Sequence, residues 1–425
     1  MNMRWVQLRW VQAVAAVLLV CTGTWAWLST TEEPTEGVPR HVVLIVIDTL
    51  RADVVDEVDT PVFDALAEEG DSADRAWSSG TWTAPSVISI FSGMPVRSHG
   101  WDFPFPAKMD NRTNSYSQIP DVPLLAEVLN EAGFQTSAFY GNRLLSQGLG
   151  YDRGFDSFRG SGDRKLADRI EGLLDQQDLD QRQFIYLHMF GGHQPLRPSR
   201  ESARKWNVDP KLVLGRGFPL QVAKKGNPAV QNQYSQAYRA VVEDIDARLG
   251  EVLDALDPIR DDSIIIVTSD HGEMLGEHEH FGHGHWVYEP LTRVPFVAVG
   301  VGDLPDTLTL SSVPDLITTA LGVEADWPVK SGEEGPLVSQ REGKIAFSPD
   351  GQLKGIWDPQ LENGFAAYDL IADPEETTEI PDVQDELEQA RDIWLEETPY
   401  ELLKPVDGSM TDEMIEALEE LGYME

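Results

Sequence analysis

Chemically competent side chains stand where apolar runs stop. Val42–Ile47 is a continuous β-branched run that ends at Asp48, Ile264–Thr268 is followed by Asp270 and His271, and Phe184–Leu187 is followed by His188 and His193. In open α/β sheets the carboxyl ends of strands gather the active site, and two carboxylates with an imidazole make a donor set for a divalent cation. Five of the nine histidines (His271, His278, His280, His283 and His285) crowd a Gly-rich loop directly after Asp270. Such a loop alone is equally a polar surface loop; with Asp48 at a second strand end, the metal reading is the better one. A third stretch, SSGTWTAPSVISIFSGMPVRSHG from Ser78 to Gly100, carries hydroxyls at Thr81, Thr83, Ser86 and Ser89. Pro85 starts a helix there whose Val87, Ile88, Ile90 and Phe91 turn inward. A hydroxyl at that helix N-terminus meets exposed N–H groups that favour an alkoxide or an anion; plain N-capping by Thr83 or Ser86 is the alternative use.

The elements that must position these groups alternate in type. Val42–Ile47, Phe134–Tyr140, Phe184–Leu187, Ile264–Thr268 and Val294–Val299 read as strands, with helices over Pro61–Glu69, Val122–Ala132 and Gln233–Leu256. Tyr238, Val241, Val242, Ile245, Leu249, Val252 and Leu253 recur at helical spacing in the last of these. Alternating strands and helices imply an α/β fold, a central mostly parallel sheet with helices on both faces. After about residue 325 the chain turns irregular and acidic, so the expected organisation is 1–40, 41–325 and a small C-terminal subdomain and tail at 326–425, its last helix Asp412–Leu421 stopped by Gly422.

Composition bounds the function. The 425 residues hold 72 Asp+Glu against 33 Lys+Arg, a net charge of −39, and 41% hydrophobic residues. That hydrophobic content is enough for a core, and the acidic balance excludes nucleic-acid binding through phosphates. An acidic shell spread along the chain points to a salt-loving source, expected to be a halophilic archaeon. The single cysteine, Cys21, excludes internal disulfides and cysteine zinc clusters. Arg4 and Arg9 precede an apolar run from Trp10 to Leu28, with Glu32, Glu33 and Glu36 behind it. The pattern predicts an uncleaved single-pass membrane helix with the remainder of the chain outside the cell. Asn111-Arg112-Thr113 is a candidate glycosylation sequon.

Taken together, HVVLIVIDTLRADV, TPVFDALAEEG, TWTAPSVISIFSGMPVRSHG, VTSDHGEMLGEHEHFGHGHWVYEPLTRVPF and YDLIADPEETTE follow one another as in the sulfatase family of the alkaline phosphatase superfamily, which this chain resembles from about residue 41 to 380. The resemblance implies an alkaline-phosphatase-like α/β sandwich and a divalent metal (Ca, Mg, Mn or Zn) held by Asp48, Asp270 and His271, with Thr83 at the nucleophile position. It also implies that His193 and His283 contact the anionic group or leaving oxygen as cations, with His285 the alternative to His283, and that Arg51 steadies the anion. Two departures bear on chemistry. Position 83 is Thr, which yields no formylglycine, and Val87 stands where the family motif has arginine. Without the aldehyde hydrate, a threonyl sulfate has no internal exit, whereas a phosphothreonine is resolved by a second in-line attack. The expected activity is therefore metal-dependent cleavage of phosphate or sulfate esters of a small molecule or glycan, phosphoryl esters, diesters or headgroup transfer being favoured. The second reading is an inactive scaffold that binds anionic surface glycans.

Overall fold

Each β-branched run becomes a strand because it can be buried on both faces. In chain order the strands of the central sheet are β1 (His41–Ile47), β2 (Asp71–Ser72), β3 (Gln135–Tyr140), β4 (Ser157–Gly160), β5 (Gln183–Met189), β6 (Ser263–Thr268) and β7 (Phe296–Val299), lying side by side as β2-β7-β6-β1-β5-β3-β4. The run β6-β1-β5-β3-β4 is parallel throughout. The expected strand Val294–Val299 is split at Pro295, which has no N–H to give a ladder, and its second half joins β6 antiparallel. This computed structural model describes residues 38–100, 102, 115–118, 122–146, 149–213, 217–332, 335–398 and 406–409. The predicted membrane anchor, the sequon and the helix Asp412–Leu421 lie outside the described residues. Among those described, no helix is long and apolar enough to cross a membrane.

Alternation along β1 divides the core in two. Val42, Leu44 and Val46 pack on one side with Val87, Ile88 and Phe91 of α2 (Thr83–Ser92), which follows α1 (Pro61–Glu69), and with Leu125 and Leu129 of α3 (Leu125–Glu131). Val43, Ile45 and Ile47 pack on the other with Phe63 and Leu66 of α1 and with α4 (Leu166–Leu174). The long helix beyond the short α5 (Leu220–Lys224) covers this second face; it is α6 (Pro228–Ala255), carrying Tyr238, Ile245 and Leu249. α6 starts five residues before the periodicity predicts, because Asn227 caps it by accepting from the Val230 N–H at 3.1 Å and Pro228 pre-sets its first turn.

Residues beyond 325 are more regular than their composition suggests. They form an antiparallel meander of β8 (Leu337–Arg341), β9 (Lys344–Ser348), β10 (Leu353–Trp357) and β11 (Phe365–Asp369), with a helix at Gln384–Glu397. Residues 39–425 cluster as one compact unit. Gln340 of β8 donates its N–H to Ser79 O at 2.9 Å, and Lys354 of β10 reaches Glu289 at 3.1 Å. The meander is thereby tied to the segments on either side of the site.

Candidate metal centre and active site

Register decides what meets. Val46 lies opposite both His188 and Thr268, so Asp48, two residues on, emerges beside Asp270 at the carboxyl edge of the sheet. Both carboxylates are wholly buried. Asp270 Oδ1 accepts from the N–H groups of Thr49 (3.2 Å) and His271 (2.9 Å), and Asp48 Oδ2 accepts from Asn142 Nδ2 at 2.7 Å. No hydrogen bond reaches Asp48 Oδ1 or Asp270 Oδ2. His271 Nδ1 is 2.9 Å from Gly272 O; a carbonyl only accepts, so Nδ1 carries the proton and Nε2 presents its lone pair. That Nε2 lies 3.6 Å from Asp270 Oδ2 and 3.9 Å from Asp48 Oδ1. His188 Nε2 approaches Asp270 Oδ2 from elsewhere at 3.5 Å. Ligand atoms of Asp48, His188 and Asp270 all fall within 4.8 Å of one another.

Thr83 is the first residue of α2, wholly buried, and its side chain makes no capping bond. Its Oγ1 instead receives Asn142 Nδ2 at 3.1 Å and lies 3.4 Å from His271 Nε2 and 3.5 Å from Asp48 Oδ2. The helix start that aims Thr83 follows the extended N-cap Trp82, and Val87, replacing the motif arginine, is fully in the core.

The electrostatics describe a hollow short of positive charge. Burial, with Asp270 alongside, pushes the Asp48 carboxyl well above the usual range. At Asp270 the same burial is outweighed by His271 and by the His188 contact, which hold it below that range. Two buried carboxylates, each with one oxygen that no hydrogen bond reaches, facing imidazole nitrogens, fit a cation. The donor set of carboxylate oxygens, imidazole nitrogens and a hydroxyl fits Mg, Mn, Ca or Zn.

Three imidazoles line the approach. The His271 and His283 rings are 4.5 Å apart by centroid, and His193 and His283 are 5.1 Å apart. His283 Nδ1 is 2.8 Å from Glu273 Oε2, and His193 Nδ1 donates to Gln194 O at 2.8 Å. Burial pulls His193 down to about 3 and His283 to about 4, while it pushes Glu273 up to about 7. The expectation that His193 and His283 stand as cations is thus corrected: burial keeps both neutral near pH 7 in the free protein.

The structure brings Asp48, Thr83, Asp270 and His271 together and sets His193 and His283 beside them. Arg51 is directed elsewhere: its guanidinium holds both oxygens of Asp53 (2.9 and 2.6 Å), Glu277 Oε1 (2.7 Å) and Glu273 O (3.0 Å). His285 is exposed, edge-on to Trp286 at 5.4 Å. His278 and His280 stack on Tyr288 and Trp286, so most of the histidine-rich loop is aromatic packing. Sequence reasoning left Asn142 and Glu273 out of the site, and noted His188 at a strand end without giving it a role. Asn142 follows β3 by two residues and obeys the strand-end rule. His188 stands inside β5, which runs to Met189, two residues past its apolar stretch.

A sulfatase family model matches residues 40–323. Among curated proteins, choline-sulfatase of Rhizobium meliloti is 30% identical over 176 residues, which span 34% of this chain and 32% of that protein. Mouse (Mus musculus) iduronate 2-sulfatase is 41% identical over 73 residues, 16% of this chain and 12% of its own length. These matches therefore span a third or less of those relatives. Among solved structures, a protein in complex with its substrate D-glucosamine-2-N,6-O-disulfate superposes with a TM-score of 0.66 at 18% identity, over 85% of this chain and 98% of that one. The phosphonate monoester hydrolase of Agrobacterium radiobacter superposes at 0.63 and 16% identity, over 84% and 95%.

Proposed function

The chain belongs to the sulfatase family of ester hydrolases, and from that premise we propose that it is a metal-dependent hydrolase of phosphate or sulfate esters that uses Thr83 as nucleophile. One observation carries the reading: Thr83 Oγ1 lies 3.1–3.5 Å from Asn142, His271 and Asp48, beside two buried carboxylate oxygens without partners. Asp48, Asp270 and His271, with His188 adjacent, would hold a divalent cation. Bound there, the cation supplies positive charge that lowers the pKa of a neighbouring hydroxyl and offsets charge on the ester oxygens.

The chain's own groups do the remainder. Asp48 Oδ2 is placed to take the Thr83 proton, and Asn142 Nδ2 donates to the oxygen left behind. The positive end of the α2 dipole, at Thr83, favours negative charge there. Thr83 Oγ1 forms a bond to phosphorus or sulfur as the bond to the leaving alcohol breaks in line. His283, oriented by Glu273, takes up a proton as the anionic ester binds beside it, gives that proton to the leaving alcohol, and then accepts one from the water that attacks the threonyl ester from the vacated side, while Asp48 returns its proton to the Thr83 oxygen. The second attack restores the threonine hydroxyl and releases the inorganic anion. A threonyl ester without an aldehyde hydrate favours phosphoryl over sulfuryl substrates. The substrate class is a small-molecule or glycan ester, and residues 1–40 would hold the enzyme on the outer face of the membrane.

The test is a panel of phosphomonoesters, phosphodiesters, phosphonates and sulfates at high salt with added Mn²⁺, Zn²⁺ or Mg²⁺. Turnover of one class, with the intermediate trapped on the peptide carrying Thr83, supports the reading. It is overturned if no ester is cleaved, or if Thr83→Ala leaves the rate unchanged.

A further inference from the structure

The segment that carries His283 is not stiff by composition. His283 stands between Gly282 (φ +96°) and Gly284 (φ +76°), and glycine loses more conformational freedom than any other residue when it is fixed. Glu273 orients the imidazole from one side, 2.8 Å from Nδ1, but that contact leaves the backbone on the far side of His283 to be held by other groups. Those groups come from the C-terminal meander. β8 and β9 are joined by Glu342 (φ +48°) and Gly343 (φ +82°), the pair of positive angles that a two-residue hairpin turn needs. The turn sets Arg341 directly opposite Lys344, and directly opposed residues of a hairpin lie on one face.

Both side chains therefore reach the same loop. Arg341 Nε donates to Gly284 O and Lys344 Nζ to His285 O, two successive carbonyls immediately after His283. Both cations are buried. The guanidinium also reaches the start of the nucleophile helix. Its Nη1 donates to Asp102 Oδ1 at 2.9 Å, and the same oxygen accepts from Trp82 Nε1 at 3.3 Å. Asp102 Oδ2 accepts from the Glu342 N–H, and the guanidinium lies 5.1 Å over the Trp82 ring. Trp82 is the N-cap from which α2 and Thr83 begin. The Gly284 N–H closes the circle by donating to Thr81 O at 2.8 Å. One planar fork thus meets the residue after His283 and the residue before Thr83.

We infer that Arg341, at the tip of the β8–β9 hairpin, is a positioning residue that fixes His283 relative to Thr83, so that the proton donor stands at the leaving oxygen while the nucleophile stands in line behind the ester. This rests on the ester-hydrolase reading and deepens it. The nitrogens of Arg341 are engaged by Gly284, Asp102 and Glu342, so it acts on the reaction through its neighbours. Its loss falls on proton transfer to the departing oxygen. An aliphatic alkoxide needs that proton in order to leave, whereas 4-nitrophenolate leaves without it. A guanidinium that only stabilised the fold would affect both kinds of ester alike.

The experiment compares the 4-nitrophenyl and benzyl esters of the anion that the full-length enzyme turns over. For Arg341→Met, kcat for the benzyl ester is expected to fall about a hundredfold, the scale of general acid catalysis. The kcat for the 4-nitrophenyl ester and KM for both should stay within about threefold. Arg341→Lys keeps the charge without the fork; it should show the same pattern at about tenfold, and it carries the comparison if Arg341→Met does not fold. An equal fall on both esters, or no fall, overturns the assignment. Amide hydrogen exchange reads the clamp without turnover. In the variant, the peptide spanning 281–288 should exchange at least about tenfold faster than in wild type, with β1 and β6 unchanged. Unchanged exchange there overturns this inference, whereas faster exchange in a protein that cleaves no ester fails the hydrolase reading.

Discussion

Two of the pairs of carboxylates buried among the described residues are balanced in different ways. Glu289 and Glu376, between the C-terminal meander and the core, meet cations of the chain. Lys354 Nζ lies 3.1 Å from Glu289 and 2.8 Å from Glu376, Arg75 lies 2.6 Å from Glu289, and the ammonium sits 4.8 Å over the Trp77 ring. Asp48 and Asp270, at the strand ends, meet imidazoles and each other, and each keeps an oxygen without a hydrogen bond. Burial raises a carboxyl in both places: Glu376 is pushed up to about 7, with Lys354 opposing, and Asp48 is driven well above its range. The first pair is closed by Lys354, which arrives late in the sequence, together with Arg75 from its early part. In the second, under the proposed function, a divalent cation would supply the balancing charge. A closed buried pair joins elements; an open one binds.

The comparison breaks most visibly at Thr83. Thr83→Ala should lower turnover by at least about a thousandfold, the scale on which loss of a nucleophile acts, while metal content and melting temperature stay near wild type. Removing the cation of the closed cluster should act the other way. Lys354→Met strands two buried carboxylates and is expected to cost about 3–5 kcal/mol of stability by denaturant titration, with metal affinity unchanged. If instead Lys354→Met weakens metal binding, the clusters are not independent. Chelation tests the open cluster: a metal at a hundred times its Kd should stabilise the wild type by about 2.7 kcal/mol. In Asp270→Asn that increment should vanish, and the metal-free variant should melt below metal-free wild type, because the contacts of His271, His188 and the Thr49 N–H that favour ionised Asp270 are lost.

Asn142→Ala removes one neutral donor to both Asp48 and Thr83, and kcat should fall by about ten- to a hundredfold. A further expectation concerns a histidine outside the site. His99 bonds Ser89 of the nucleophile helix at 3.0 Å, and burial pulls it down to about 3. The unfolded chain protonates this group near pH 6.5 while the folded one does not, so the unfolded state binds more protons between those values. Stability contributed by His99 is present above pH 6.5 and is lost as pH falls toward 3, by about 1.4 kcal/mol per unit. His99→Gln should flatten that part of the stability profile.

Much of the scaffold was legible because its signals are local. The run HVVLIVI can only be a strand covered on both sides, and the helix stripe from Tyr238 to Leu253 has one buried face. Asp48 and Asp270 were conspicuous as acids ending such strands. Elements whose type depends on a partner were not legible. The meander 337–369 lacks long apolar runs because its faces are covered by residues far away in sequence, and Val294–Val299 did not reveal that its second half runs antiparallel. His188 was misplaced for the same reason: only pairing with β1 and β3 carries β5 through to Met189.

By itself the sequence determined five strands of the central sheet, the order of the motifs, and the presence of a threonine where the family motif has a residue that becomes an aldehyde. Residue types and periodicity need only neighbours along the chain. The tertiary structure decided how each polar group is used. It committed the Arg51 guanidinium to Asp53 and Glu277, turned His278 and His280 to aromatic packing, and held His193 and His283 neutral by burial. It also added Asn142 and Glu273, because hydrogen bonds, desolvation and counter-charges come from residues tens to hundreds of positions away, and only the folded chain sets those distances.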